Sequence, residues 1–300
     1  MSRLASILPH PAVFSPPLDK SERDDSFLNF KPTHQAVSLI KYRTEQKTHH
    51  FSYRKKYSGS LLLSVQYRMH PSISAFSSAV FYDSLLSTPD FLSQHREFPI
   101  SFNSILPAHD KSLGVRFIDV GGQKNESKGW KVVLDSSTGS VFDDGNKSYS
   151  NESEATVIVQ LLKDVFKREI SLESYTRTIG VVTPYAAQVS LLKTKMAKDK
   201  EFRMLAQNHP AVIEVKSVDA YQGRERDVII FSAVRSNHKG RIGFLKDWRR
   251  MNVAITRAKS GLIVVGDMET LMAGDKHWEA FGKWCQNVSC AAAISPQTVQ

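Results

Sequence analysis

Short apolar runs rich in β-branched residues alternate along this chain with longer stretches whose apolar residues recur every three to four positions. The short runs predict buried strands at Leu61–Val65, Gly114–Val120, Thr178–Val182, Ala211–Val215, Val228–Val234 and Gly261–Asp267. The longer stretches predict helices. One spans Ser72–Phe81 behind Pro71, with Ile73, Phe76, Val80 and Phe81 as its stripe. Another runs from the Asn151/Glu154 capping-box pattern to about Lys167, with Val157, Leu161, Leu162 and Val165 inward. Ala186–Ala197, Asp247–Lys259 and His277–Gln286 follow. The regular alternation predicts an α/β fold: a mostly parallel sheet with helices on both faces.

Elsewhere the pattern weakens. Residues 84–112 read as a long irregular segment. Gly121–Tyr149 is rich in Gly, Ser, Asp, Asn and Lys and reads as a loop or hairpin insertion around Trp130–Leu134. Prolines at 9, 11, 16, 17 and 32 interrupt residues 1–58, which read as a poorly ordered tail. The expected organisation is therefore a tail at 1–58, one domain over 59–289 and a short tail at 290–300.

Charge adds a partner class. Lys plus Arg number 40 against 30 Asp plus Glu, and the pI is near 9.5. That balance favours a polyanion, with nucleic acid first. Between Lys41 and Tyr57 cations alternate with rings, which suits single-stranded nucleic acid, while a solvated, partly disordered tail is the preferred reading. The two cysteines, Cys285 and Cys290, match no zinc or redox spacing. No apolar run approaches the roughly 20 residues of a membrane span. A nuclear or cytoplasmic setting is expected, with organelle import not favoured.

Candidate chemistry lies at the element boundaries. The loop Ser217–Asp227 contains Gly223 and Glu225 and begins at the carboxyl end of a core strand, where open α/β sheets bind ligands. A charged surface turn would look the same. Tyr67 and Arg68 precede a helix, where a ring can stack on a base and a guanidinium can pair with phosphate. Thr183, Pro184 and Tyr185 turn the chain at another strand end, with Gln188 near the following helix N-terminus, a setting for phosphate or backbone contact. On a helix over 247–259, Met251, Ile255 and Ala258 form the buried stripe, and Arg250 and Arg257 lie two turns apart on the neighbouring face. They could form an anion clamp or a solvated basic face. Asp143-Asp144-Gly145 lacks the spacing of a calcium loop, and no metal site is expected. There is no G-x-x-x-x-G-K-[ST], no G-x-G-x-x-G, no strand-ending Asp-Glu pair and no nucleophile elbow.

Four motifs then stand in order: V-Q-Y-R-M-H-P at 65–71, G-V-V-T-P-Y-A-A-Q at 180–188, S-V-D-A-Y-Q-G-R-E at 217–225 and R-R-M-N-V-A-I-T-R-A-K at 249–259. Together they resemble the second RecA-like domain of superfamily 1 helicases, in the branch containing senataxin and the nonsense-mediated-decay helicase. The resemblance covers about Leu61–Asn287. It implies ATP bound between two RecA-like domains, single-stranded RNA or DNA across their top, and 5′ to 3′ movement. It implies that Tyr67 stacks on adenine and that Arg68 and Arg257 contact the γ-phosphate as arginine fingers. Gly223 and Glu225 would border that phosphate, Arg250 would support the set, and Thr183, Pro184, Tyr185, Ser217 and Asp219 would face the strand. The first RecA-like domain, with its phosphate loop and magnesium carboxylates, has no counterpart in residues 1–60. A second chain could supply it. The competing reading is a non-enzymatic module binding nucleic acid or protein.

Overall fold

Side chains along the strands alternate between two apolar layers, and that alternation sets the architecture. The computed structural model describes residues 63–106, 110, 112–121, 126–134, 141–173, 176 and 178–293. The expected tail at 1–58, residues 61 and 62, and residues 294–300 lie outside them. Six strands form one sheet in the order β5-β4-β6-β7-β1-β8: β1 (Val115–Asp119), β4 (Thr178–Thr183), β5 (Val212–Ser217), β6 (Arg226–Ser232), β7 (Ala258–Gly266) and β8 (Ala291–Ala293). Every pairing in this sheet is parallel. It is the RecA-like α/β architecture that the motifs imply.

Period-two alternation sends Val182, Ile229, Phe231, Leu262 and Val264 to one face. There they meet α1 (Pro71–Phe81), α7 (Trp248–Ile255), α8 (Met268–Gly274) and α9 (Lys276–Asn287) through Phe76, Met251, Leu271 and Phe281. Ile179, Val181, Val228, Ile230, Ile263 and Val265 point to the other face. They meet α3 (Ile100–Ile105), α4 (Glu152–Leu172), α5 (Ala186–Lys198) and α6 (Lys200–Gln207). Outside the sheet, β2 (Glu126–Leu134) and β3 (Val141–Asn151) pair antiparallel, so 121–149 does contain a hairpin.

Several boundaries differ from the sequence expectation. The segment 84–112 carries two short helices, α2 (Phe91–His95) and α3. Both were hidden by their length, since neither makes two full turns of periodicity. The helices α6 and α8 were not anticipated, although Asp199 and Asp267 cap them by accepting from Phe202 N and Thr270 N. The helix α4 continues past Lys167 to Leu172. Its last turns are held from outside: Glu169, buried, lies 2.7 Å from Nε2 of His209 and accepts from Ser101 and Thr176 hydroxyls. Val65 forms only an isolated bridge with Ser87 rather than a core strand.

The expected helix over 247–259 ends at Ile255. Thr256 Oγ1 turns back onto the Asn252 carbonyl at 2.6 Å, and Ala258 is drawn into β7 beside Arg226. Arg250 and Arg257 therefore do not share a helical face, and no two-turn clamp exists. Among the described residues no helix is long and apolar enough to cross a membrane.

Candidate functional site

The strand registers place the candidate residues on two opposite edges. Thr183 pairs with Ser217 at the carboxyl ends of β4 and β5, and Val218 N donates to the Thr183 carbonyl. Arg226 pairs with Ala258 at the amino ends of β6 and β7, and Arg226 N donates to the Arg257 carbonyl. Residues 218–225 thus run from one edge back to the other. At about 3.3 Å per residue the edges are roughly 17 Å apart. Gly223 and Glu225 accordingly sit at the amino edge, not at the carboxyl end where the loop begins.

The amino edge gathers the charges. Arg68 Nε donates to Glu225 Oε2 at 2.6 Å, and its Nη1 donates to the Thr256 carbonyl at 3.2 Å. Lys259 Nζ lies 3.0 Å from Glu225 Oε1. These bonds hold the Glu225 carboxyl below the usual carboxylate range, Arg68 first, against partial burial. Arg257 is anchored by its Nε donating to the Val253 carbonyl at 2.8 Å. Burial, and then the charge of Arg68, push its pKa down, while Glu225 opposes the shift. Arg68 and Lys259 therefore bond one carboxylate while Arg257 lies within its field, an excess of positive charge suited to an anion.

Gln66 explains how Arg68 is aimed. Its side-chain oxygen accepts from Arg68 N and Met69 N at 2.9 and 2.8 Å, and its nitrogen donates to Thr88 Oγ1 at 2.7 Å. The polar tie under the loop leaves the Tyr67 ring 65% exposed beside the cluster. At Gly223 φ is +78°, and a Cβ there would meet no atom within 4 Å. The backbone is open on that side, so a ligand could approach it closely. Lys259, Thr256 and Gln66 were not singled out from sequence. Lys259 closes the quoted arginine-helix motif, two residues beyond Arg257, which was the available signal.

The carboxyl edge holds the remaining candidates, with two corrections. Thr183 and Tyr185 are buried, and the Tyr185 hydroxyl donates to the Ile242 carbonyl at 3.1 Å. Neither offers its side chain to a nucleic-acid strand: Thr183 is fully enclosed, and the Tyr185 ring packs against those of Tyr149 and Phe244. Gln188 is also fully buried, bonded to Asn151 and Ser232. Pro184 and Ser217 are half-buried, and Asp219 is exposed. Arg250 belongs here rather than with Arg68: its Nε lies 3.3 Å from Asp219 Oδ1, and its guanidinium lies over the Phe244 ring at 5.3 Å.

The amino-edge set fits the phosphate end of a nucleoside triphosphate: cations, an open glycine backbone and an exposed ring. Among the described residues no group of three or more His, Cys, Asp or Glu could hold a metal ion.

A protein-family profile described as an AAA domain matches residues 36–269. The chain is similar to Helicase sen1 of Schizosaccharomyces pombe, 35% identical over 225 residues, which are 74% of this chain and 12% of that protein. It is similar to a Regulator of nonsense transcripts 1 homolog of Arabidopsis thaliana, 34% identical over 209 residues, 70% of this chain and 14% of that one. It is also similar to DNA polymerase alpha-associated DNA helicase A of Saccharomyces cerevisiae, 32% identical over 228 residues, 75% of this chain and 30% of that one. The chain spans less than a third of each relative's length.

Proposed function

Because the chain belongs to the AAA-domain superfamily 1 helicases of the senataxin and nonsense-transcript-regulator type, we propose that it is the carboxy-terminal, ATP- and nucleic-acid-binding half of an ATP-dependent 5′–3′ helicase. One observation carries this reading: Arg68, Arg257 and Lys259 surround Glu225 at the amino edge of the sheet, beside the exposed Tyr67 ring. Tyr67 stacks on the base and Arg68 meets the γ-phosphate. Arg257 lies in the same cluster and stabilises the charge that develops there. Glu225 keeps the Arg68 guanidinium oriented, the Val253 carbonyl keeps that of Arg257, and Gly223 lets the backbone border the phosphate. Bound ATP would draw two such domains together, and transfer of its γ-phosphoryl group to water would remove the shared contact and let them open. Pro184, Ser217 and Asp219, at the other edge, face the single strand of RNA or DNA.

The chain carries no phosphate-loop motif, and the magnesium carboxylates of such sites are not among its motifs. We infer that a first RecA-like domain supplies both, from elsewhere in the same polypeptide or from a partner chain. This chain by itself then binds nucleotide weakly and turns over little, since the phosphate loop makes most phosphate contacts.

The test is ATP hydrolysis with and without single-stranded RNA, by this chain alone and by a polypeptide that also carries a phosphate-loop domain. Arg257→Ala should reduce strand-stimulated turnover by about 10³-fold or more. Arg250→Ala, paired with Asp219, should reduce it by less than about tenfold. Equal losses would break the assignment of the amino edge. Salt-sensitive RNA binding with no turnover in either polypeptide would favour the non-enzymatic module.

A further inference from the structure

Beside the carboxyl edge, a cleft of about 360 Å³ opens between the β2–β3 hairpin and the loop 235–241. Nothing in the helicase motifs occupies it. Its wall is a closed unit. Arg235 donates to both Glu126 oxygens, at 2.9 and 3.2 Å, and its guanidinium lies over the Tyr149 ring at 4.1 Å. Ser236 N and Asn237 Nδ2 donate to the same Glu126 carboxylate, at 2.8 and 3.0 Å. Burial pushes this carboxyl up, yet those hydrogen bonds prevail and hold it below its ordinary value. The one acid of the lining is therefore fully engaged.

The rim is different. Lys128, Lys239 and Arg241 are exposed and line the same cleft. Among the described residues none of the three has a carboxylate partner. With Arg235 against Glu126, the lining carries four fixed positive charges and one negative, a net of +3 before His238 is counted. A concave surface with that excess is built for an anion.

The backbone leading into the cleft is held in a costly conformation. Val234 has φ +72°, a left-handed value that a β-branched residue rarely adopts. Two contacts impose it. Val234 N donates to both oxygens of buried Glu154, at 2.8 and 2.9 Å, and its carbonyl accepts from Asn151 Nδ2 at 3.0 Å. Strain of this sort persists only where surrounding contacts over-determine it, and it gathers at ligand clamps. Here it turns Arg235 and Ser236 into the cleft wall. The wall is preorganised, while the rim cations stay free to meet a ligand.

We propose that this cleft is a phosphodiester site for the single strand, with Lys239 and Arg241 as its phosphate contacts. It rests on the strand-binding reading above and extends the strand's path past Pro184 and Ser217. A phosphate on a free mononucleotide has the same chemistry, and the experiment separates the two sources.

The full chain is titrated with a labelled oligouridylate over a salt series, and separately with AMP. Lys239→Ala/Arg241→Ala should flatten the slope of log affinity against log salt by about 1.4, or 0.7 per lost contact to a single strand. Lys193→Ala/Lys198→Ala, on the exposed face of α5, removes the same charge elsewhere and should leave the slope unchanged. Equal slopes for the cleft variant and the parent overturn the cleft but leave the strand-binding reading standing. So does an equal loss in the α5 variant, which would mean bulk charge alone. Saturable AMP binding that the cleft variant loses, with oligouridylate binding intact, assigns the cleft to mononucleotides and overturns the proposal. A parent chain that does not bind oligouridylate overturns the strand-binding reading itself and the cleft with it.

Discussion

Arg68 Nε lies 2.6 Å from Glu225 Oε2, although the two residues are 157 positions apart. The contact joins a loop before α1 to the end of the long connection between β5 and β6. Both side chains are more than a third exposed, at 34% and 40%. Solvent screening then limits the pair to about 0.2–1 kcal/mol of stability. Arg68→Ala should lower unfolding free energy by no more than that. Its effect on a bound triphosphate should be larger, about 1.5–3 kcal/mol for a lost charge-assisted bond, or at least tenfold in affinity. Denaturant unfolding and titration of a fluorescent ATP analogue, run on the same variant, measure both quantities. A variant that loses stability but not affinity would make the pair a structural tie.

Glu154 makes stability depend on pH. It is fully buried, and desolvation pushes its carboxyl up to about 8, against the hydrogen bonds from Ser232 and Val234. The folded state therefore holds a proton that the unfolded state releases near pH 4.5. The contribution is fully present below that value and is lost as pH rises toward 8, at up to about 1.4 kcal/mol per pH unit. Glu154→Gln keeps an acceptor for Val234 N and cannot ionise. Across pH 5 to 8, the stability of the parent should fall relative to this variant. A pH-independent difference between the two unfolding curves would show that Glu154 does not titrate in this window.

Gly180 is required by the motif that crosses the sheet. A Cβ at this position of β4 would overlap the Tyr221 hydroxyl and come within 2.7 Å of Ile229 Cδ1. Tyr221 is buried on the same face, in the middle of the 218–225 connection. Gly180→Ala should cost about 1–3 kcal/mol through overpacking. Adding Tyr221→Phe should recover part of that loss, because it removes the overlapped oxygen and leaves the ring. Additive costs in denaturant unfolding would mean that the two positions do not press on each other.

Periodicity in the sequence carried most of the fold. β-branched runs at 178–182, 228–234 and 261–267 identify three strands to within three residues at either end, because a strand buried on both faces leaves a continuous apolar signature. The helices at 71–81, 186–198 and 276–287 were legible from apolar stripes. The helices at 100–105 and 200–207, both packed against α4, and the five-residue helix at 91–95 were not, since each is too short to show a clear stripe.

At the candidate site, sequence alone determined which residue types were present: Tyr67, Arg68, Gly223, Glu225 and Arg257, each in a recognisable motif. It could not determine their grouping. Only the parallel register decided that the 218–225 connection crosses the sheet and sets Glu225 against Arg68 and Lys259. Only the end of α7 at Ile255 decided that Arg257 joins that cluster while Arg250 turns to Asp219. Burial of Thr183, Tyr185 and Gln188 was likewise a tertiary outcome, since a polar residue at a strand end reads the same inside or out. The physical reason is common to all three. Local propensity and periodicity act over a few residues, whereas charge pairing and burial join positions as far apart as 31 residues for Arg250 and Asp219 and 157 for Arg68 and Glu225.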